Sequence, residues 1–288
     1  MEQFKLFIEL TRLKKPIGYM LLFWPCSWGL TLAYDFTGAI NVFLIYLILF
    51  FTGSVLMRSA GCVVNDIVDR NFDKKVSRTK NRPIASGKVN LFQGLLYSVV
   101  LCAIAFAVLI QFNLLTIILA MGSMPLAFTY PLMKRYTYWP QLYLGITFNY
   151  GVILGWTSIT NELNLLPVIF FIGAIFWTLA YDTIYGFQDI KDDEIIGLKS
   201  TSIKFKHNPY LFLKICYLFF LLSLIIIGLI SKFKLIYFLF LILVSLHMFY
   251  FQISKLDIRK EESCLKIFKT NNLLGLMVFF SILVGKIL

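Results

Sequence analysis

Three aspartates lie close together in the stretch NDIVDRNFDKKVSRTKNRPIASG, which covers residues 65 to 87. Asp66, Asp69 and Asp73 are spaced i, i+3 and i+7, so a helix running through them would place all three carboxylates on one face. Carboxylates held this close repel one another unless a cation lies between them. Magnesium takes oxygen ligands, usually one or two carboxylates together with substrate phosphates. The spacing therefore predicts a divalent-cation site.

Basic residues are interleaved with these aspartates and continue after them. Arginine and lysine side chains suit the anionic oxygens of phosphate groups. In this stretch they are Arg70, Lys74, Lys75, Arg78, Lys80 and Arg82. The aspartates, together with the lysines and arginines around them, indicate a metal-assisted diphosphate site at a membrane surface.

A second acidic stretch, YDTIYGFQDIKDDEIIGLKST, covers residues 181 to 201. Asp182, Asp189 and Asp193 are spaced i, i+7 and i+11, which predicts one stripe along a continuous helix. Solvated loop charges are the alternative explanation. However, both acidic stretches end an apolar segment and both contain lysine, and this repetition favours two halves of one site.

Apolar segments of about twenty residues position the two acidic stretches. The chain is 59% hydrophobic and 15% charged, which predicts an all-α polytopic membrane protein with a single domain over residues 1–288. The helices are expected to surround a central cavity, with the polar loops at 65–90 and 187–210 as its cap. We predict nine spans, at 17–35, 42–64, 91–111, 114–133, 138–158, 164–186, 211–230, 234–253 and 270–287.

The distribution of lysine and arginine predicts the orientation of these spans. Most of the 27 basic residues fall in the N-terminal segment and in the loops after even-numbered spans. Positively charged loops stay in the cytoplasm, so we place the N-terminus and both acidic stretches on the cytoplasmic side of a bacterial inner membrane. The net charge of +12 could also suit nucleic acid, but basic residues spread over short loops favour lipid headgroups, and we predict no nucleic-acid partner.

Two further features could complete the site. Arg58 precedes Asn65 by seven residues inside the second span, so it lies on the same helix face and roughly 10 Å deeper. An arginine at that depth usually faces the bundle interior, although snorkelling towards the helix end is the alternative.

Tyr130 and Lys134 are spaced i and i+4 at the end of the fourth span and could reach the same diphosphate. An ordinary helix end carries the same residue types and is the alternative explanation.

These motifs resemble those of the UbiA family of intramembrane prenyltransferases. The first family motif, NDxxDxxxD followed by RTxxRPxxSG, matches residues 65–87. The second, DxxxD, is matched by Asp189 and Asp193, with Asp182 one heptad earlier. The resemblance extends through nearly the whole chain, in KPIGxxLLxWP, RxAGCVVND, YPxMKRYT and IGxKST.

The resemblance implies Mg²⁺-dependent transfer of a polyprenyl group from polyprenyl diphosphate, with the lipid tail in the membrane. It is closest to the branch that prenylates 4-hydroxybenzoate ortho to its hydroxyl in ubiquinone synthesis. The implied metal ligands are Asn65, Asp69, Asp73, Asp182 and Asp189. The implied catalytic residues are Asp69, Asp73, Asp189 and Asp193, the last as the group that orients the phenol or helps to remove the ring proton. The implied substrate-binding residues for the diphosphate are Arg78, Arg82, Lys134 and Tyr130, together with Asn65 and Asp182, and Arg58 is implied for the benzoate carboxylate.

Several alternatives stay open. Within the family, the acceptor could be homogentisate, a naphthoate, a haem precursor or a glyceryl lipid. A secondary transporter could also use acidic residues, but transporters place them near the bilayer midplane, whereas here they lie at helix ends beside basic loops. A CDP-alcohol phosphotransferase would need a glycine- and arginine-interrupted aspartate pattern, which neither stretch contains, and a structural scaffold would need neither stretch.

Overall fold

A computed structural model describes residues 2–75 and 79–288 of the chain, and it contains helices and no strands in these residues. The predicted all-α class is confirmed. A 3₁₀ turn at Tyr130–Leu132 joins the fifth helix to the sixth, and a π-helical segment at Leu246–Ile253 extends the twelfth. The α-helices are α1 (Glu2–Thr11), α2 (Ile17–Ala33), α3 (Ile40–Asp73), α4 (Leu91–Leu109), α5 (Leu114–Thr129), α6 (Met133–Tyr136), α7 (Pro140–Thr160), α8 (Leu165–Gly186), α9 (Ile190–Ile196), α10 (Thr201–Lys204), α11 (Pro209–Ile230), α12 (Leu235–Ser245) and α13 (Glu261–Ile287).

Seven helical segments in the described part of the chain are long and apolar enough to cross a membrane, which makes this a multi-pass membrane protein. They are Ile40–Asp73, Leu91–Leu109, Leu114–Tyr136, Leu165–Gly186, Pro209–Ile230, Leu235–Ile253 and Glu261–Ile287. The other two predicted spans correspond to α2, which is only 17 residues long, and to α7. The count of nine spans therefore stays a prediction, as do the central cavity and its cap.

Helices α2 and α7 pack closely along each other, and most of their residues are buried. Small residues make this approach possible: a Cβ atom on Gly29 would overlap the carbonyl oxygen of Val152, and one on Gly155 would overlap that of Cys26. Between membrane helices, where no hydrophobic effect drives association, such close van der Waals packing stabilises the pair. Because neighbouring helices cover α2 and α7, their surfaces need not be uniformly apolar, and α7 accommodates buried polar residues such as Asn149.

Replacing Gly155 with leucine is expected to destabilise the protein by about 3 kcal/mol or more, because the new side chain would meet backbone atoms of α2 that cannot move independently. Thermal unfolding in detergent measures this effect. Gly122→Leu is the matched control, since nothing lies within 4 Å of a Cβ atom at that position in α5. Equal losses of unfolding temperature in both variants would contradict the close α2–α7 approach.

An aromatic cluster joins α8 to its neighbours in the core. The Trp28 and Trp177 rings lie 4.8 Å apart, and the Trp177 ring stacks on Phe220 at 6.0 Å. Each indole nitrogen also donates a hydrogen bond, Trp28 to the Gly275 carbonyl and Trp177 to Asn271 Oδ1, both at 2.9 Å. These contacts fix α8, which carries Asp182, against α2, α11 and α13.

Helix α3 carries the first acidic stretch beyond its apolar part. Its 34 residues correspond to roughly 50 Å, which exceeds the roughly 30 Å hydrocarbon core of a bilayer. The last turns therefore extend out of the apolar layer. The prediction that the helix runs on through Asp66, Asp69 and Asp73 is confirmed.

The second acidic stretch does not lie on one helix, and the predicted continuous stripe over Asp182, Asp189 and Asp193 is wrong. Helix α8 ends at Gly186 and α9 begins at Ile190. The break follows Gly186, and glycine is a weak helix former. Gly186 also packs closely against the following segment, since a Cβ atom at this position would lie 2.3 Å from Ser202 Oγ.

Candidate functional site

The three aspartates of the first stretch are buried on one face of α3, with exposed fractions of 2% for Asp66 and 6% for both Asp69 and Asp73. Asp66 Oδ1 accepts hydrogen bonds from Arg12 Nη2 at 2.6 Å and from Arg82 Nη1 at 3.2 Å. The same Arg82 nitrogen donates to Asp73 Oδ2 at 2.8 Å. Buried carboxylates are costly unless they are paired, and Arg82 bridges two of them.

Asp69 has a different environment. Its Oδ2 lies 2.5 Å from Lys134 Nζ, while its Oδ1 lies 3.6 Å from Arg135 Nη2, too far for a hydrogen bond. Arg135 instead donates to the carbonyl oxygen of Val68 at 2.9 Å. Among the described residues, Asp69 Oδ1 is buried without a hydrogen-bond partner. A charged oxygen with free lone pairs is the type of ligand that a hard cation such as Mg²⁺ takes.

Two basic residues of this cluster, Arg12 and Arg135, are absent from the sequence-based site. Arg12 follows the end of α1 in a left-handed conformation (φ 56°), which turns the chain back towards α3. Burial lowers the pKa of Arg12, but the neighbouring charges, including that of Asp66, outweigh burial and raise it above the ordinary value. The only sequence signal was a positive charge at the end of an amphipathic segment. Arg78, also predicted for the site, lies outside the described residues.

Arg58 lies inside the helix bundle. Its guanidinium is 5.4 Å from the ring centre of Phe148 in α7, and a Cβ atom on Gly18 in α2 would lie 2.8 Å from its Nε. It forms no hydrogen bond or ion pair with any residue in the ranges 2–75 and 79–288. Asp182 on α8 and Tyr130 at the end of α5 lie within electrostatic range of it. The guanidinium thus faces neighbouring helices, and its role in binding stays a prediction.

Tyr130 lies within electrostatic range of both acidic stretches. The charges of both Asp69 and Asp182 act on its hydroxyl, as does that of Arg58. Asn65, which shares a helix face with Arg58, is partly exposed, as is Asp182. These predicted residues therefore lie on helices whose polar groups converge on one region at the same end of the bundle.

The loop after α8 also approaches the first stretch. Asp189 directly precedes α9, and its carbonyl oxygen accepts from the backbone N–H of Asp193 at 2.9 Å. Further along this loop, the N–H of Lys199 donates to the carbonyl oxygen of Lys134 at 2.8 Å. Because the amine of Lys134 binds Asp69, this backbone contact joins the second polar loop to the first acidic stretch.

The carboxylates do not form a ready metal cage. In the part of the chain that the structure describes, no group of three or more His, Cys, Asp or Glu side chains is arranged to hold a metal ion. Basic side chains contact all three aspartates of α3 instead. The predicted metal ligands Asn65, Asp69, Asp73, Asp182 and Asp189 therefore stay a prediction.

Residues 22–281 match the model of the UbiA prenyltransferase family. The chain is 42% identical to the rat (Rattus norvegicus) protein named 4-hydroxybenzoate polyprenyltransferase, mitochondrial, over 98% of this chain and 75% of that protein. It is 40% identical to 4-hydroxybenzoate geranyltransferase 1 of Lithospermum erythrorhizon, over 98% of this chain and 90% of the relative.

Solved structures share the fold. A UbiA homologue from Aeropyrum pernix K1 superposes with a TM-score of 0.76 at 23% identity, over 93% of this chain and 98% of that one. A UbiA homologue from Archaeoglobus fulgidus, solved with GPP and Mg²⁺ bound, has a TM-score of 0.71 at 16% identity, over 96% of this chain and 99% of that one. At these identities the likeness concerns the helical fold.

Proposed function

The chain belongs to the UbiA prenyltransferase family, and we propose that it is a 4-hydroxybenzoate polyprenyltransferase of ubiquinone biosynthesis. The reaction breaks the allylic carbon–oxygen bond of a polyprenyl diphosphate and forms a carbon–carbon bond ortho to the hydroxyl of 4-hydroxybenzoate, with loss of the ring proton. The observation that carries this proposal is the likeness, over nearly the whole chain, to relatives of that name.

The aspartates of α3 form the donor end of the site. Asp69 and Asp73, with Asn65 beside them and Asp182 and Asp189 from the second stretch, would hold Mg²⁺. The free Oδ1 of Asp69 fits this role, because it is a buried charged oxygen without a hydrogen bond among the described residues. When bound, Mg²⁺ draws negative charge from the diphosphate as it leaves.

Basic side chains around these aspartates bind the leaving diphosphate. Lys134 and Arg82 are only 29% and 25% exposed and already lie among the acids, so a bound diphosphate would compete with the carboxylates for them. Arg78, from the same motif, joins them in this proposal. Tyr130, whose hydroxyl is within electrostatic range of Asp69 and Asp182, would donate a hydrogen bond to the same diphosphate. Together these donors neutralise charge that grows as the bond breaks.

The acceptor lies deeper, next to Arg58. Its guanidinium binds the benzoate carboxylate, and the nearby Phe148 ring supplies an apolar wall. Asp193 orients the phenol or removes the ring proton. Apolar helices exclude water from the reactive allylic carbon, which protects it from hydrolysis.

Single-domain organisation and orientation are part of the same proposal. The N-terminal segment and the loops after even-numbered spans, which include both acidic stretches, contain most of the basic residues, and this favours the cytoplasmic side of a bacterial inner membrane. Membrane lipid surrounds the apolar helices and accommodates the polyprenyl tail.

Prenyl transfer in membranes that contain this protein tests the proposal. Labelled 4-hydroxybenzoate and a polyprenyl diphosphate should give a prenylated benzoate when Mg²⁺ is present. Chelation of Mg²⁺ by EDTA should lower the rate by roughly 10³-fold, because the diphosphate would then leave unassisted, and added Mg²⁺ should restore the rate. Product from homogentisate or a naphthoate alone would contradict the acceptor assignment. No product with any acceptor, in protein shown to be folded, would contradict the enzyme and favour transport.

A further inference from the structure

A second polar feature lies at the other end of the bundle. A cavity of about 610 Å³ opens between helix ends, and we call it the far cavity. It lies just before α3 begins at Ile40, whereas Asp66 lies near the end of that helix, roughly 40 Å away along the axis. The far cavity is therefore separate from the acidic site. Its polar lining consists of Asp35, Trp156, Ser231, Lys232, Lys234 and Lys286, together with Thr37.

Two buried donors in the far cavity have no partner in the described part of the chain. Trp156 is only 9% exposed, and its Nε1–H has no acceptor among the described residues. The Ser231 hydroxyl is likewise buried and unpartnered within the same ranges. An unsatisfied buried donor costs about 1–3 kcal/mol, and native proteins leave few of them. Because an indole nitrogen can only donate, the missing partner of Trp156 is an acceptor.

The charges of the far cavity also favour an anion. Lys232, Lys234 and Lys286 line it. They fall outside the N-terminal segment and the loops after even-numbered spans, which the sequence predicts to be cytoplasmic. Among the side chains that line the cavity, the opposing acid is Asp35, whose Oδ1 accepts from the Thr37 N–H at 3.0 Å and from the Thr37 hydroxyl at 2.9 Å. The backbone hydrogen bond lowers the pKa of Asp35, so this carboxyl stays ionised and offsets one of the three lysines.

Lys232 occupies a position that glycine would fill more easily. It has φ 54° at the end of α11, where the Phe233 N–H donates back to the Gly228 carbonyl at 2.9 Å. Helices usually place glycine at such a left-handed position. A lysine there keeps a positive charge at the rim of the cavity.

We propose that the far cavity binds the phosphate of an anionic phospholipid in the leaflet opposite to the acidic site. Trp156 and Ser231 donate hydrogen bonds to the phosphate oxygens, and the lysines supply positive charge. The walls formed by Leu32, Phe36 and Phe233 are apolar, which suits the acyl side of a lipid better than free phosphate. The cavity also opens where membrane-spanning helices end, at the depth of lipid headgroups. This site does not depend on the chemistry proposed above.

Native mass spectrometry of the delipidated full-length protein tests this site, with phosphatidylglycerol and phosphatidylcholine as probes. We expect the unchanged protein to retain phosphatidylglycerol selectively. Each of the substitutions Lys232→Gln, Lys234→Gln and Lys286→Gln should lower this retention by roughly fivefold. Trp156→Phe keeps the ring and removes the donor, and it should lower retention by roughly fivefold. The matched control changes three exposed lysines elsewhere, Lys5→Gln, Lys255→Gln and Lys260→Gln.

The outcomes separate the explanations. Equal losses in the far-cavity and control lysine variants, or full retention by Trp156→Phe, would overturn the proposal, because binding would then reflect diffuse charge. Displacement of the lipid by equimolar inorganic phosphate would overturn the lipid assignment in favour of a free-anion site. Only variants whose unfolding temperature equals that of the unchanged protein are compared. If Trp156→Phe does not fold, Ser231→Ala replaces it and is expected to show the same loss.

Discussion

Replacing Asp69 with asparagine should lower kcat for prenyl transfer by roughly 10³-fold while leaving the helical fold intact. Asparagine keeps the shape and one oxygen but removes the negative charge. In the structure this carboxylate contacts Lys134 through Oδ2 and leaves Oδ1 without a hydrogen bond among the described residues. The substitution therefore removes the negative charge from the group that carries the oxygen best suited to Mg²⁺.

The measurement is kcat at saturating concentrations of both substrates, repeated over a range of Mg²⁺ concentrations. The Mg²⁺ concentration for half-maximal rate should rise in Asp69→Asn, which a purely structural role for Asp69 would not produce. Asp257→Asn is the matched control, because Asp257 lies outside both acidic stretches and accepts from the Arg259 N–H at 3.1 Å. A variant at position 69 with near-normal kcat and Mg²⁺ dependence would contradict the metal assignment.

Local periodicity explains why the first half of the site could be predicted from the sequence. Hydrophobic segments mark the helices, and the spacing of Asp66, Asp69 and Asp73 places them on one face wherever α3 continues. The same reasoning failed in the second stretch. There, α8 ends at Gly186, and the spacing of the aspartates does not show where a helix ends.

The partners of the aspartates could not be predicted in the same way. Arg12 meets Asp66 across 54 residues, and Lys134 meets Asp69 across 65 residues, so both pairs depend on how whole helices pack. The far cavity is a stronger case, since its lining comes from three helix junctions and the end of α13. Its two donors without a partner among the described residues are visible only in three dimensions. Tertiary packing, and not local pattern, determines these contacts.

Replacing Arg58 with methionine is expected to raise KM for 4-hydroxybenzoate by roughly 10- to 100-fold, with a much smaller change in KM for the polyprenyl diphosphate. A hydrogen bond to a charged group contributes about 1.5–3 kcal/mol, which corresponds to this range. Methionine fills similar space beside Phe148 and Gly18, so the packing between α2, α3 and α7 is largely kept. Arg259→Met, at an exposed position outside the site, is the matched control and should change neither KM.

A change of acceptor tests the same contact from the other side. If Arg58 binds the benzoate carboxylate, the unchanged enzyme should prefer 4-hydroxybenzoate to 4-hydroxybenzamide, because the amide carries no charge for a guanidinium to pair with. Arg58→Met should lose most of that preference. A variant that kept the full preference would contradict carboxylate binding. A rise confined to KM for the diphosphate would instead assign Arg58 to the donor, a different role that its depth of roughly 10 Å below Asn65 does not favour. The two substrates thus distinguish recognition of the acceptor from general neutralisation of charge at the site.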